Sequence, residues 1–319
     1  MRTSFSMLYG QNVYNLGNVT SSLTKLSNAV SSGKTLQKAS DDPSAWSQSF
    51  DINQTLREYD AYDGNISFAS SWNQQTENTL DSLYDLMTNA KDIAISASKP
   101  MTTDEQDAYV KTLNQLIQQA VDLGNTQYDG RYIFSVNGDS APFGVTMGAT
   151  EETEDDVASI QVNGVDIEDA VDADTASLTE ELQVRVSKTN KETVNLSGMT
   201  TLWEDPTDPA SNLFQQLYNL KEAVAAGDAT AVANLEDDLD ATQTRINGQI
   251  TSVGLKLSNY ESRQTLLSDV GTDLKSRLSD LQEGDLVSAI SQLTQKETVY
   301  EAALQVTSMM GSKNILDYL

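Results

Sequence analysis

Apolar side chains in the first forty residues recur at Leu16, Val19, Leu23, Leu26 and Val30, three and four apart. Phe5, Tyr9 and Asn12 carry the same register backwards, with Asn12 its one polar position. That spacing predicts a helix with a single narrow seam. The last forty residues repeat the pattern at Leu286, Ile290, Leu293, Tyr300 and Leu304, interrupted by Glu297. Residues 1–40 carry Arg2, Lys25, Lys34 and Lys38 and no acid, whereas residues 280–319 carry six acids against Lys296 and Lys313. Opposite charge favours pairing the two ends with each other.

Between them the periodicity predicts longer helices. Ile52, Leu56, Tyr59, Ile66, Leu80, Leu83, Met87 and Ala90 keep three-four spacing through a polar middle, which gives a helix over about residues 45–98. Asp42 is placed to cap it, because Pro43 suits the first helical position, where an amide would be unsatisfied anyway. Lys99-Pro100 ends it, Thr103 with Gln106 reads as a capping box, and Tyr109, Leu113, Leu116, Ala120 and Leu123 mark a returning helix. Arg131 to Val136 reads as a strand after Gly130. Asn163-Gly164 between the alternating pairs Ile160/Val162 and Val165/Ile167 is a two-residue hairpin turn. Leu182 to Val186 reads as a further strand, with Val194 and Leu196 as its partner. Helices return at Leu213, Leu217 and Leu220, closed near Gly227, and then from Leu235 to Leu281 in a seam of about forty-five residues.

The predicted fold is mainly α: elongated, with paired terminal helices, a long helical-bundle middle and a small β-rich insertion at the far end. The boundaries read as 1–42 with 284–319 for a terminal coiled-coil domain, 43–134 with 200–283 for a helical rod, and 135–199 for the insertion.

Composition narrows the function. The chain has 319 residues, a formal charge of -27, and neither cysteine nor histidine. Disulfides, thiol or imidazole catalysis and the common zinc sites are thereby excluded, and the remaining carboxylates show no spacing that would fix a catalytic pair, so no enzyme, metal or cofactor is expected. The negative charge argues against nucleic acid or an anionic membrane as partner. Residues 139–174 hold eleven acids and no basic side chain. None follows the spaced Asp-rich calcium loop, and a solvated, outward-facing loop is expected. In the first thirty-three residues only Arg2 and Lys25 are charged, and the rest of the polar face is mostly Ser, Asn, Thr and Gln. Such a face can be buried at small desolvation cost, which points to the termini as an assembly device.

Arg2-Thr3, Ser32-Gly33-Lys34, Ser40-Asp41-Asp42-Pro43-Ser44-Ala45, Asn65-Ile66, and Asn125-Thr126 running to Tyr132-Ile133-Phe134-Ser135 with Pro142-Phe143 resemble the flagellar hook-associated protein 3 family of the flagellin superfamily. Asp285-Leu286, Ala302-Ala303-Leu304-Gln305-Val306 and the closing Asn314-Ile315-Leu316-Asp317-Tyr318-Leu319 extend the resemblance to the other end. It implies a structural, non-enzymatic part of the flagellum at the junction of hook and filament, exported without a cleaved signal peptide. The partners it implies are hook-associated protein 1 on one side, flagellin on the other, further copies of the chain, and an export chaperone before assembly. Flagellin itself shares the terminal heptads and Asp41-Asp42. Tyr132-Ile133-Phe134 and the Leu-Asp-Tyr-Leu end favour the junction family over it. A cytoplasmic coiled-coil scaffold would need charged flanks beside its seam, which the first helix lacks.

Overall fold

The structure is a computed structural model, and it describes residues 5–136, 140–148, 156–170, 172–203 and 208–312. The long helices are α1 (Phe5–Ser32), α2 (Pro43–Ala97), α3 (Thr103–Gly124), α6 (Leu213–Ala226), α7 (Ala229–Gln282) and α8 (Leu286–Ser312), with the short α4 (Asp172–Thr175) and α5 (Gly198–Leu202) between α3 and α6. The strands are β1 (Gln127–Tyr128), β2 (Arg131–Tyr132), β3 (Phe143–Met147), β4 (Val157–Val162), β5 (Val165–Asp166), β6 (Gln183–Arg185) and β7 (Lys191–Thr193). The chain divides into two compact units, residues 1–59 with 268–319 and residues 60–267, and α2 and α7 contribute to both.

In the second unit α2 and α7 run antiparallel in one register. Gln264 Nε2 donates to Ser67 Oγ at 2.8 Å, Gln243 Nε2 to Thr88 Oγ1 at 2.7 Å, and Lys91 pairs with Asp240. The α2 seam alternates four and three residues without a break: Tyr62, Ile66, Ala69, Asn73, Thr76, Leu80, Leu83, Met87, Ala90, Ala94 and Ala97 are all buried. On α7 the buried apolar positions Val232, Leu239, Ile246, Val253 and Tyr260 fall seven apart. A strict seven-residue repeat keeps one stripe of each helix facing its neighbours. The polar members are satisfied at home: Asn73 Nδ2 donates to the Ala69 carbonyl at 2.9 Å and Thr76 Oγ1 to the Trp72 carbonyl at 2.9 Å.

The helix ends follow their local chemistry. Thr102, one residue earlier than the sequence suggested, caps α3, and Glu105 completes the box by accepting from the Thr102 amide at 2.8 Å. α3 packs along α6, and Gln106 Nε2 donates to the Val224 and Ala225 carbonyls, satisfying acceptors at the α6 C-terminus. Gly227 then ends α6 at φ 66°.

The expected strand from Arg131 to Val136 shortens to two residues. β2 pairs with β1 in a tight hairpin, after which Ile133, Phe134 and Ser135 are buried outside any strand. β3, β4 and β5 form an antiparallel sheet in that order, and Asn163 and Gly164, at φ 50° and 84°, make the two-residue turn between β4 and β5. β6 pairs with β7 over 191–193, so Val194 and Leu196 follow the partner strand and do not form it. Val157, Ile160, Val162, Leu178, Val186, Val194 and Leu196 lie in the same apolar cluster as Leu80, Leu113, Leu217 and Ile246. The inward face of the insertion is thus part of the core. Of its acids, Glu151, Glu152, Glu154 and Asp155 lie outside the described residues.

A Cβ on Gly198 would run into the Phe134 carbonyl oxygen and sit 3.1 Å from the Phe134 side chain. A backbone oxygen in a filled core has nowhere to move, so Gly198→Ala should destabilise the unit by about 1–3 kcal/mol. Urea denaturation followed by Trp fluorescence reads this directly, and an unchanged midpoint would show that the segment relaxes freely.

Candidate assembly interface

The first unit is built on α1 and α8. The connection after α1 turns at Gly33, whose φ of 72° suits glycine. Lys34 then bridges Glu283, and the Thr35 amide donates to the Gln282 carbonyl at 2.8 Å. α1 therefore ends where α8 begins, and the two pack antiparallel along their length. Gly284 completes this knot, because a Cβ there would overlap the Thr35 Cγ2 methyl.

The Ser40-Asp41-Asp42-Pro43 motif sits beside the knot and its two carboxylates have separate tasks. Asp41 Oδ1 accepts from Lys25 Nζ at 2.8 Å, and its Oδ2 accepts from the Gln37 and Lys38 amides at 3.2 Å each. The Lys25 contact and the two amides hold the Asp41 carboxyl below its ordinary value of 3.8. Asp42 caps α2, accepting from the Ser44 amide at 2.9 Å and the Ala45 amide at 3.0 Å. Asp285 does the same for α8 through the Val287 and Ser288 amides, both at 3.0 Å. Lys25, Asp41, Asp42 and Asp285 surround a cleft of about 460 Å³ whose apolar wall includes Leu26, Leu36 and Ala289. Each of these carboxylates is already engaged in holding backbone.

Leu16, Val19, Leu23, Leu26 and Val30 are all half-buried, with Ala29 fully buried beside them. On α8 the shielded positions are Ala289, Leu293, Tyr300, Ala303 and Thr307. Leu286, Ile290 and Leu304 stay exposed at 42–45%. Val287, Val299, Val306 and Met309 elsewhere around α8 are exposed as well, and so are Met7, Leu8, Tyr9, Val13 and Tyr14 on α1. The shielded face of α8 is turned towards Ala289 and Ala303, which are too small to stand out in the sequence as seam positions. The remaining motif residues, Tyr132, Ile133 and Phe134, belong to the second unit; Ile133 and Phe134 are wholly buried and Tyr132 half-buried. Arg2, Thr3 and Asn314 to Leu319 lie outside the described residues. Among the described residues no three carboxylates gather closely enough to hold a metal ion, and no helix is long and apolar enough to cross a membrane.

A family model of the bacterial flagellin N-terminal helical region matches residues 4–139. Flagellar hook-associated protein 3 of Escherichia coli K12 is 26% identical over 326 aligned positions that cover 98% of both chains, and its namesake in Salmonella typhimurium is 25% identical over the same shares. This chain is similar over nearly its whole length to proteins named flagellar hook-associated protein 3. A solved structure from Vibrio parahaemolyticus, described as a flagellar hook-associated protein, matches 76% of this chain and 100% of its own with a TM-score of 0.61 at 17% identity, which extends the likeness to the fold. The correspondence with the two proteins named flagellar hook-associated protein 3 covers 98% of this chain, so it takes in both terminal helices.

The knot yields two expectations. Asp41 has its carboxyl pKa depressed in the fold, so its contribution is present above about pH 3.8 and is lost as pH falls through the folded value. The Gln37 and Lys38 amides should therefore lose protection, measured against their intrinsic exchange rates, as the pH drops below that point, and Asp41→Asn should already show the reduced protection at pH 7. Equal rates in both proteins would remove the role given to Asp41. Gly284→Ala should free the Thr35 amide, and adding Thr35→Ser, which deletes the clashing methyl, should restore its protection. Failure of the second change to restore it would place the strain elsewhere.

Proposed function

We propose that this chain is a structural component of the bacterial flagellum that joins the hook to the flagellin filament. The observation that carries the reading is the end-to-end correspondence, over 98% of both chains, with two proteins named flagellar hook-associated protein 3. The exposed apolar side chains of α1 and α8 supply the physical means. Pairing shields one stripe of each helix and leaves Met7, Tyr14 and Val287 exposed at 68%, 66% and 78%. Helices with a single half-buried seam are marginal in water. Packing these exposed side chains against other subunits removes apolar surface from solvent at about 25 cal/mol per Å². Residues 1–42 and 284–319 form the assembly domain in this reading, and the rest of the chain presents the surface of the joint.

The partners follow: hook-associated protein 1 on the hook side, flagellin on the distal side, copies of the chain around the joint, and an export chaperone that shields the terminal helices before assembly. Export through the flagellum accounts for an extracellular place without a cleaved signal. The role is structural, not enzymatic, in keeping with carboxylates that serve as caps and ties.

Leu23→Asp or Leu293→Asp puts a carboxylate into the intrachain seam. Either should abolish incorporation into flagella, with residues 60–267 still giving a helical circular dichroism spectrum, and normal motility with either would defeat the assembly claim. An antibody against residues 157–196 should label a band between hook and filament in electron micrographs. Label along the whole filament would make the chain a flagellin, and no label on the flagellum would return the scaffold reading.

A further inference from the structure

Among the described residues the sheets of the insertion have two or three strands each, too few to be stable alone, and strand edges there present backbone groups that a neighbouring strand does not take up. These edges are met by side chains from the helices. Asn65 Nδ2 on α2 donates to the Arg185 carbonyl at 2.7 Å, on the edge of β6 facing away from β7. Lys256 Nζ on α7 donates to the Thr193, Val194 and Asn195 carbonyls at 3.1, 3.4 and 3.5 Å, and Asn73 adds a second donor to Val194 at 3.1 Å. The other sheet is held in the same manner. Asn125, at the end of α3, bonds both the amide and the carbonyl of Phe143, at 3.0 and 2.7 Å. Val157 is likewise gripped twice, its amide by Asn114 Oδ1 at 3.0 Å and its carbonyl by the buried Lys221 at 2.7 Å.

Contacts between side chains do cross the boundary: Asn114 donates to Asp156 at 2.6 Å, Gln215 to Glu168 at 3.1 Å, and Arg263 lies 3.7 Å from Glu192. They are single contacts, whereas the main-chain grips are paired at Val157, Phe143 and Val194. Beside its buried apolar positions and these three side-chain contacts, the insertion is held by paired bonds to its backbone, which every sequence shares.

We propose that Asn65, Asn73, Asn114, Asn125, Lys221 and Lys256 form a backbone-reading mount that keeps the insertion seated whatever side chains its outer surface carries. The exposed side chains of β6, β7 and their turn can then change, and with them whatever the outer face touches, while the seating stays constant. This goes beyond the junction role and does not depend on it, since it concerns the second unit alone.

Hydrogen exchange of the purified full-length chain, read by mass spectrometry over residues 182–196, separates seating by backbone from seating by surface side chains. Lys256→Met should speed exchange there about tenfold with helical protection in α3 and α6 kept. Asn65→Ala, a milder change at a half-buried site, should do so to a smaller extent, and it provides the reading if the Lys256 variant does not fold. The triple variant Arg185→Gln, Lys188→Gln, Lys191→Gln alters three exposed side chains and should stay within about twofold of the parent. If the triple variant loosens the segment as much as Lys256→Met, or if neither mount variant changes it, the proposal is overturned.

Discussion

A helix with one apolar stripe must find a partner for that stripe, and this constraint shapes every part of the chain. In the second unit α2 and α7 meet it within the molecule, as the unbroken burial from Tyr62 to Ala97 and the seven-residue repeat from Val232 to Tyr260 show. In the first unit α1 and α8 meet it only in part. Their seam is half-buried, and each helix keeps further apolar side chains in solvent. The same rule that closes one unit on itself leaves the other open to neighbours.

The helices were legible in the sequence because a stripe repeats every three and four residues over dozens of positions, so that no single residue decides the reading. The turn at Asn163-Gly164 was legible for a different reason: two successive positive φ angles demand such residues. The strands were read less well. β2 stops at Tyr132, and β6 pairs with residues 191–193 before Val194 is reached. Strands this short are held by donors far along the chain, such as Asn65 for Arg185 and Lys256 for Thr193, and no local pattern encodes a contact between residues so distant. In the same way the α8 seam turns on Ala289 and Ala303, whose small size matters only once α1 lies against them.

The polar middle of α2 shows why a departure from pattern can be informative. Asn73 and Thr76 occupy seam positions where Leu or Ala would bury more apolar surface. Thr76 closes its bond within its own helix, but Asn73 reaches out to the Val194 carbonyl, where Lys256 arrives from α7. Lys256 bears a cost for this position: burial pushes its pKa below the ordinary lysine value, against the pull of Glu192 and Glu181. Close by, Tyr260 is pushed up to about 12 by the same desolvation. Polar groups in such a place are retained for what they bind, since apolar ones would stabilise the seam more simply.

Two kinds of recognition therefore coexist in one chain. Heptad seams read side chains, as in the pairing of α1 with α8, so sequence there is tied to what packs against it. The grips on the insertion read carbonyl and amide groups, which carry no sequence information. That division has a physical consequence, because a change in the exposed side chains of the insertion leaves both the heptad seams and the backbone grips untouched.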